Sequence, residues 1–439
     1  MVNNIPVNPF TYGNPISDPA RFFGREREID QVFSRLRNVE AESSSLVGER
    51  RVGKTSLLNY LAHTDVRRAH NMDPGKHIFV YVDLQMVDKD TTPTRLWQRL
   101  LRQIARYCQD SDIKQVIEEV RQIDPIDNFA LADLFDSVDE KGQHIVLLLD
   151  EFENVTENQN FGADFFYGMR SLAIHHNLSL ITSSRSELIE LCHSDAIRSS
   201  PFFNIFANIN VRLFSEAEVR NLISQSLTGT SISFNDSEID TIFNIAGHHP
   251  YFLQAACHFL FEAYIKNLNP GERLNFLVTE FREEAAPHLA DYWHNSDDHE
   301  KIVLTALAAL ERRGKAGGRT FSLRQLQELY TRSDQTLSHL DKRSLLMSQA
   351  NAFTLFNSSF GDWIVGEITN TVSDQQSYED WLKSNQGTME RLSAKARSEI
   401  GELLPSISGK YRDLIIAWVS DPKNLITVAG LLRSSLGLG

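Results

Sequence analysis

SSSLVGERRVGKTSLL, residues Ser43–Leu58, contains Gly48-Glu49-Arg50-Arg51-Val52-Gly53-Lys54-Thr55, a complete G-x-x-x-x-G-K-[ST] pattern. Glycines at 48 and 53 permit a tight turn with positive φ, so the backbone N–H groups of the intervening residues can converge on phosphate oxygens. Lys54 supplies a mobile cation for the β- and γ-phosphates, and Thr55 a hydroxyl for Mg²⁺. Ser56 lies one step further into a helix whose N-terminal end adds a fixed positive field. The strand expected before the loop, Ser43–Val47, is short and serine-rich. Arg50 and Arg51 are expected to point outward as solvated charge.

A phosphate loop binds nucleotide; hydrolysis needs a second element, and HIVLLLDE, His144–Glu151, supplies it. The apolar run predicts a buried strand that carries Asp150 to the sheet edge, where its carboxylate can hold a Mg²⁺-bound water. Glu151 can orient or deprotonate the attacking water. Further strands are expected at His77–Leu84, Leu178–Ser183 and Asn204–Arg212, with helices between them at Thr94–Gln109, in two pieces across 110–143, and at Phe161–His176. This alternation predicts a doubly wound α/β domain with a parallel sheet over 41–214. Gly48, Asp83, Asp150 and Ser183 then gather at the carboxyl edge, where such folds bind nucleotides. Arg185, just past the Leu178–Ser183 strand, is placed to sense a γ-phosphate.

Residues 1–40 read as a proline-broken arm followed by an amphipathic helix from Glu26, the arm lying on the adenine side of the nucleotide or strapping apolar surface. From Ser215 the periodicity is helical, giving a lid domain over 215–296; its GHHPYFLQ, Gly247–Gln254, places Pro250 at a helix start where it can meet an adenine ring. Residues 297–370 predict a winged helix-turn-helix. That module holds nine Lys/Arg against nine Asp/Glu, and the whole chain of 439 residues carries −14, so a DNA contact is disfavoured unless one patch is locally inverted. The tail, 371–439, ends in amphipathic runs at Lys410–Val419 and Asn424–Leu438 that favour self-association. Three scattered cysteines, no apolar run long enough for a membrane span and no signal peptide fit a cytoplasmic protein.

Together GERRVGKTSLL, LLLDEFE, TSSR and GHHPYFLQ resemble the signal-transduction ATPases with numerous domains, the STAND branch of the AAA+ class; FFGRERE and FTLFNSSFGDWI extend the resemblance over about 8–370. The resemblance implies an ATP-driven switch between a closed ADP form and an open ATP form able to assemble with itself or a protein partner. It makes Lys54 and Thr55 the phosphate and Mg²⁺ residues, Asp150 and Glu151 the metal and water residues, Arg185 the first sensor and Pro250 the lid contact to adenine. No match to the family's winged-helix histidine is evident. The rival reading is an AAA+ DNA-associated ATPase, similar to origin-recognition or transposition regulators, that uses the winged helix on DNA.

Overall fold

The computed structural model describes residues 7–371, apart from 298, 302, 305, 306, 309, 310, 312–332, 350 and 351. The C-terminal tail beyond 371 and residues 312–332 of the expected winged helix-turn-helix lie outside the described residues. By contact the described residues form two compact units, 13–226 and a second built from 7–12 with the described residues from 227 onward.

The first unit is a five-stranded sheet. Its strands are β1 (Ser43–Val47), β2 (His77–Asp83), β3 (His144–Asp150), β4 (Leu178–Ser184) and β5 (Phe206–Asn210). They run parallel in the order β2-β3-β4-β1-β5. Both faces are covered, which is why β2 and β3 read as nearly continuous apolar runs. In β3 the residues alternate between two cores. Ile145, Leu147 and Leu149 pack with the helices Pro93–Tyr107, Ser111–Arg121, Asn128–Glu140 and Ala163–His175; Val146 and Leu148 pack with Glu26–Leu36 and Lys54–Ala62. Serine-rich β1 is buried along all five residues between β4 and β5.

Two placements fix the candidate site. Insertion of β4 between β1 and β3 sets Ser183 and Ser184 between the phosphate-loop strand and the strand carrying Asp150. The helix Glu216–Leu227, assigned above to the lid, joins the sheet unit over nearly all its length, because Glu218 accepts the backbone N–H of Arg25 at 2.9 Å and that of Ser215 at 2.7 Å.

In the second unit the helices Asp236–Ala246, Pro250–Ile265 and Pro270–His294 each begin with Asn or His as N-cap, the first and third through complete capping boxes on Asn235 and Asn269. The N-terminal arm is a packed part of this unit. Phe10 is fully buried against Phe234 and Phe261, the Asn8 side chain donates to the His258 carbonyl at 3.1 Å, and Tyr12 sits against Tyr251, His258 and Phe259. A helix Ser333–Lys342, an antiparallel hairpin β6 (Leu346–Gln349) and β7 (Ala352–Leu355), and a helix Ser358–Thr371 complete the described residues.

Candidate functional site

The loop after β1 turns as its glycines require. Gly53 has φ 101° and caps the helix Lys54–Ala62. A Cβ at Gly48 would stand 2.6 Å from the Val211 carbonyl oxygen, so only glycine fits beneath the loop. The Gly48 N–H donates to the Ser184 carbonyl at 3.1 Å, pinning the loop to the tip of β4. Arg50 and Arg51 are exposed, while Glu49 and Val52 are buried.

The Lys54 ammonium curls back onto the loop, donating to the carbonyls of Gly48 at 2.7 Å and Glu49 at 3.1 Å. Burial pushes its pKa down, and the carboxylates of Glu153, Glu49, Asp150 and Glu151 push it back up. A buried cation facing several carboxylates is a ready phosphate ligand: incoming phosphates replace two carbonyl acceptors with charged ones.

Asp150 is 3% exposed and held at both oxygens. Its Oδ1 accepts from the Ser183 hydroxyl, and its Oδ2 from the Tyr81 hydroxyl at 3.0 Å. Burial first, then Asp150, drives the Tyr81 pKa far up, so the phenol stays a donor. Ser183 Oγ also accepts the Glu151 N–H at 3.1 Å, and Glu151 adopts the left-handed conformation, φ 55°, that few non-glycine residues take. One serine on β4 thus fixes both Asp150, the last residue of β3, and Glu151 just beyond it. Sequence reasoning placed Ser183 at the edge without this role and missed Tyr81, whose hydroxyl was hidden in an otherwise apolar strand.

Two further groups were missed. Arg25, within FFGRERE, is 3% exposed with φ 72°. Its guanidinium donates to the carbonyls of Val52 at 2.8 Å and Arg212 at 2.5 Å, lies 3.5 Å from Glu28, and sits over the Phe214 ring. It braces the phosphate loop from behind. Glu153 accepts the Arg185 backbone N–H at 3.3 Å on one carboxylate oxygen; the other is buried with no hydrogen-bond partner. Burial raises its pKa, and Lys54 opposes the rise.

The remaining candidates are less convergent. The Arg185 guanidinium pairs with Glu157. The Ser56 hydroxyl accepts the Ile16 N–H at 3.0 Å and so anchors the segment after the arm. Pro250 opens its helix in the second unit as expected. There its N-cap, His249, is 1% exposed, bonded to the Tyr292 hydroxyl at 3.2 Å and packed against Phe252 and Phe356. Among the described residues no helix is long and apolar enough to cross a membrane.

Comparison with known proteins agrees with this architecture. Solved structures similar to the chain include a Walker-type ATPase of Pyrococcus abyssi, at 16% identity and a TM-score of 0.52 over 80% of this chain and 99% of that one. The ORC2 protein of Aeropyrum pernix, in ADPNP–ADP complexes, is similar at 13% identity and a TM-score of 0.50 over 82% and 98%. At such identities the likeness establishes the fold. An uncharacterised ATP-binding protein of Methanocaldococcus jannaschii is 19% identical over 250 residues, 52% of this chain and 63% of that relative, so the chain spans less than two thirds of it. The model of the family Novel STAND NTPase 2 matches residues 35–308, which include the phosphate loop, the Asp150–Glu151 strand end and the helices beyond. With the greater part of its length matched and the loop, the sheet order and the paired acids all in place, the chain belongs to the Novel STAND NTPase 2 family of P-loop NTPases.

Proposed function

We propose that the chain is a regulatory ATPase that binds Mg-ATP, hydrolyses it slowly and uses the ATP and ADP states as a conformational switch. The observation that supports this most is the clamp on β3: Asp150 held at both oxygens, Glu151 held at its N–H, and a buried Lys54 in their electrostatic reach. In this reading Lys54 leaves the Gly48 and Glu49 carbonyls for the β- and γ-phosphates. Loop N–H groups orient the phosphate chain, and Glu151 aligns and deprotonates the attacking water.

Hydroxyl and carboxylate oxygens are the hard donors Mg²⁺ takes, and Asp150 has lone pairs beyond the two its partners use, so Thr55 and Asp150 would hold the ion. The ion would supply positive charge to offset that of the phosphates. Arg185, released from Glu157, would sense the γ-phosphate, and Pro250 would be the lid's contact to adenine.

The DNA-associated reading draws less support. Arg343, just past the helix Ser333–Lys342, is 8% exposed and donates to Glu300 at 2.5 Å and Ser296 at 3.2 Å, while His339 meets Glu300 at 2.8 Å. Both side chains are committed within their own unit, as an internal packing module requires. Switching through self-association or a protein partner in the ATP state is accordingly the preferred output.

The test is a pair of variants. Glu151→Gln keeps the shape and removes the base, so ATP affinity stays near wild type while turnover falls by about 100-fold or more. Lys54→Ala weakens nucleotide binding itself. Wild-type turnover in Glu151→Gln refutes the assignment.

A further inference from the structure

The helix Pro93–Tyr107, PTRLWQRLLRQIARY, lies on the sheet unit and is amphipathic in an unusual way. Its inner face is Leu96, Trp97, Leu100, Leu101 and Ile104, all buried. Its outer face is arginine: Arg95, Arg99, Arg102 and Arg106 are all exposed, and the helix contains no carboxylate. Spacings of four, three and four residues put the four on one stripe about 16 Å long. Among the described residues none of the four makes an ion pair within salt-bridge distance. Arg99 reaches the Met86 sulfur at 3.9 Å and the Asp83 carbonyl at 3.3 Å. Asp88 is near enough for Arg95 to help Thr91 hold its carboxyl below the usual range. Met86, 73% exposed, and Tyr107, 49% exposed, add apolar and aromatic surface at this face.

An unpaired stripe of like charge weakens its own helix slightly. On a chain of net charge −14 it is a local inversion of the protein's field. We propose that this face binds a nucleic-acid phosphate backbone. Arginine's planar fork matches phosphate better than a point charge does. The four guanidinium groups follow one another at about 6, 4.5 and 6 Å along the axis, a row of like charge that suits the continuous negative charge of a nucleic-acid backbone. Acidic protein surfaces offer carboxylates at irregular intervals. Arg99 also joins the face to the candidate nucleotide site, since Asp83, whose carbonyl it holds, pairs in register with Asp150.

The test measures anisotropy of a labelled oligonucleotide spanning two helical turns, supplied as duplex DNA, single-stranded DNA or duplex RNA, against the full-length protein over a salt series. Micromolar binding is expected in at least one arm, and that arm names the source of the phosphates. Arg95→Gln/Arg102→Gln/Arg106→Gln should keep basal turnover and melting temperature but lose at least tenfold in affinity, with a log K against log salt slope shallower by about 2 to 3. An unchanged slope in the triple variant overturns the proposal. So does absence of binding to all three probes, or equal displacement by poly-glutamate, which would make the face a protein contact.

Discussion

Ser183→Ala isolates the clamp on which the proposed chemistry depends. The substitution removes a hydroxyl that donates to a carboxylate and accepts a backbone N–H, in a residue with no exposed surface. A hydrogen bond to a charged group contributes about 1.5–3 kcal/mol and a neutral one about 0.5–1.5 kcal/mol. The second bond also helps to hold Glu151 at φ 55°, a conformation that costs roughly 1–3 kcal/mol without over-determination. Without it, Glu151 relaxes toward ordinary backbone angles and its carboxylate leaves the position for attack on water. If 1.5–3 kcal/mol of this loss is felt in the transition state, kcat falls by about 10- to 100-fold. Nucleotide affinity changes little, because Lys54 and the loop amides are untouched. Phosphate release at saturating ATP gives kcat, and titration calorimetry gives Kd. Tyr81→Phe, which removes one bond and leaves the Glu151 backbone alone, should cost less. Wild-type kcat in a folded Ser183→Ala protein, or a larger loss in Tyr81→Phe, refutes the role given to Ser183.

Three other outcomes follow from single observations. Arg25→Met strips the donors from the Val52 and Arg212 carbonyls and should cost about 3 kcal/mol of stability with weaker nucleotide binding, read by denaturant titration with and without ADP; Arg25→Lys should recover only part, lacking the fork. Phe10→Ala empties a fully buried site among Phe234 and Phe261 and should destabilise the second unit by about 3–5 kcal/mol, again by denaturant titration. His144, bonded to Ser179 at 2.9 Å, has its pKa lowered to about 4 by burial and then by His77, against an ordinary 6.5. Between these values the unfolded chain takes up a proton that the folded chain excludes. Stability is therefore complete above pH 6.5 and falls by on the order of 3 kcal/mol toward pH 4, a slope that His144→Asn should flatten in melting experiments across that range.

What the sequence made legible was whatever is decided locally. The glycines of the loop, the apolar run into Asp150 and the proline starting a helix at Pro250 each follow from a few neighbouring residues, and the structure places those elements within a residue or two of expectation. The clamp was not legible because it depends on strand order. Ser183 meets Asp150 only because β4 lies beside β3, and Tyr81 reaches the same carboxylate only from β2 on the other side. Chain order does not say which strands become neighbours. The arm stayed open between two readings for a related reason: its prolines exclude regular structure, and they do not say whether Phe10 is buried.

Arg25 makes the same point from the opposite direction. In sequence it is one of several charges opening an amphipathic helix, and charge at a helix start is normally solvated. Gly24 at φ 74° and Arg25 at φ 72° turn the chain so that the guanidinium points inward. A Cβ at Gly24 would stand 2.8 Å from the Glu218 carboxylate that caps the Arg25 N–H. Two distant segments, one at Val52 and one at Arg212–Phe214, then converge on a single side chain. A buried arginine is tolerated only where nearly every donor is used, so the position cannot drift without loosening the phosphate loop. The residue that steadies the site is therefore the one whose neighbours in the chain say least about it.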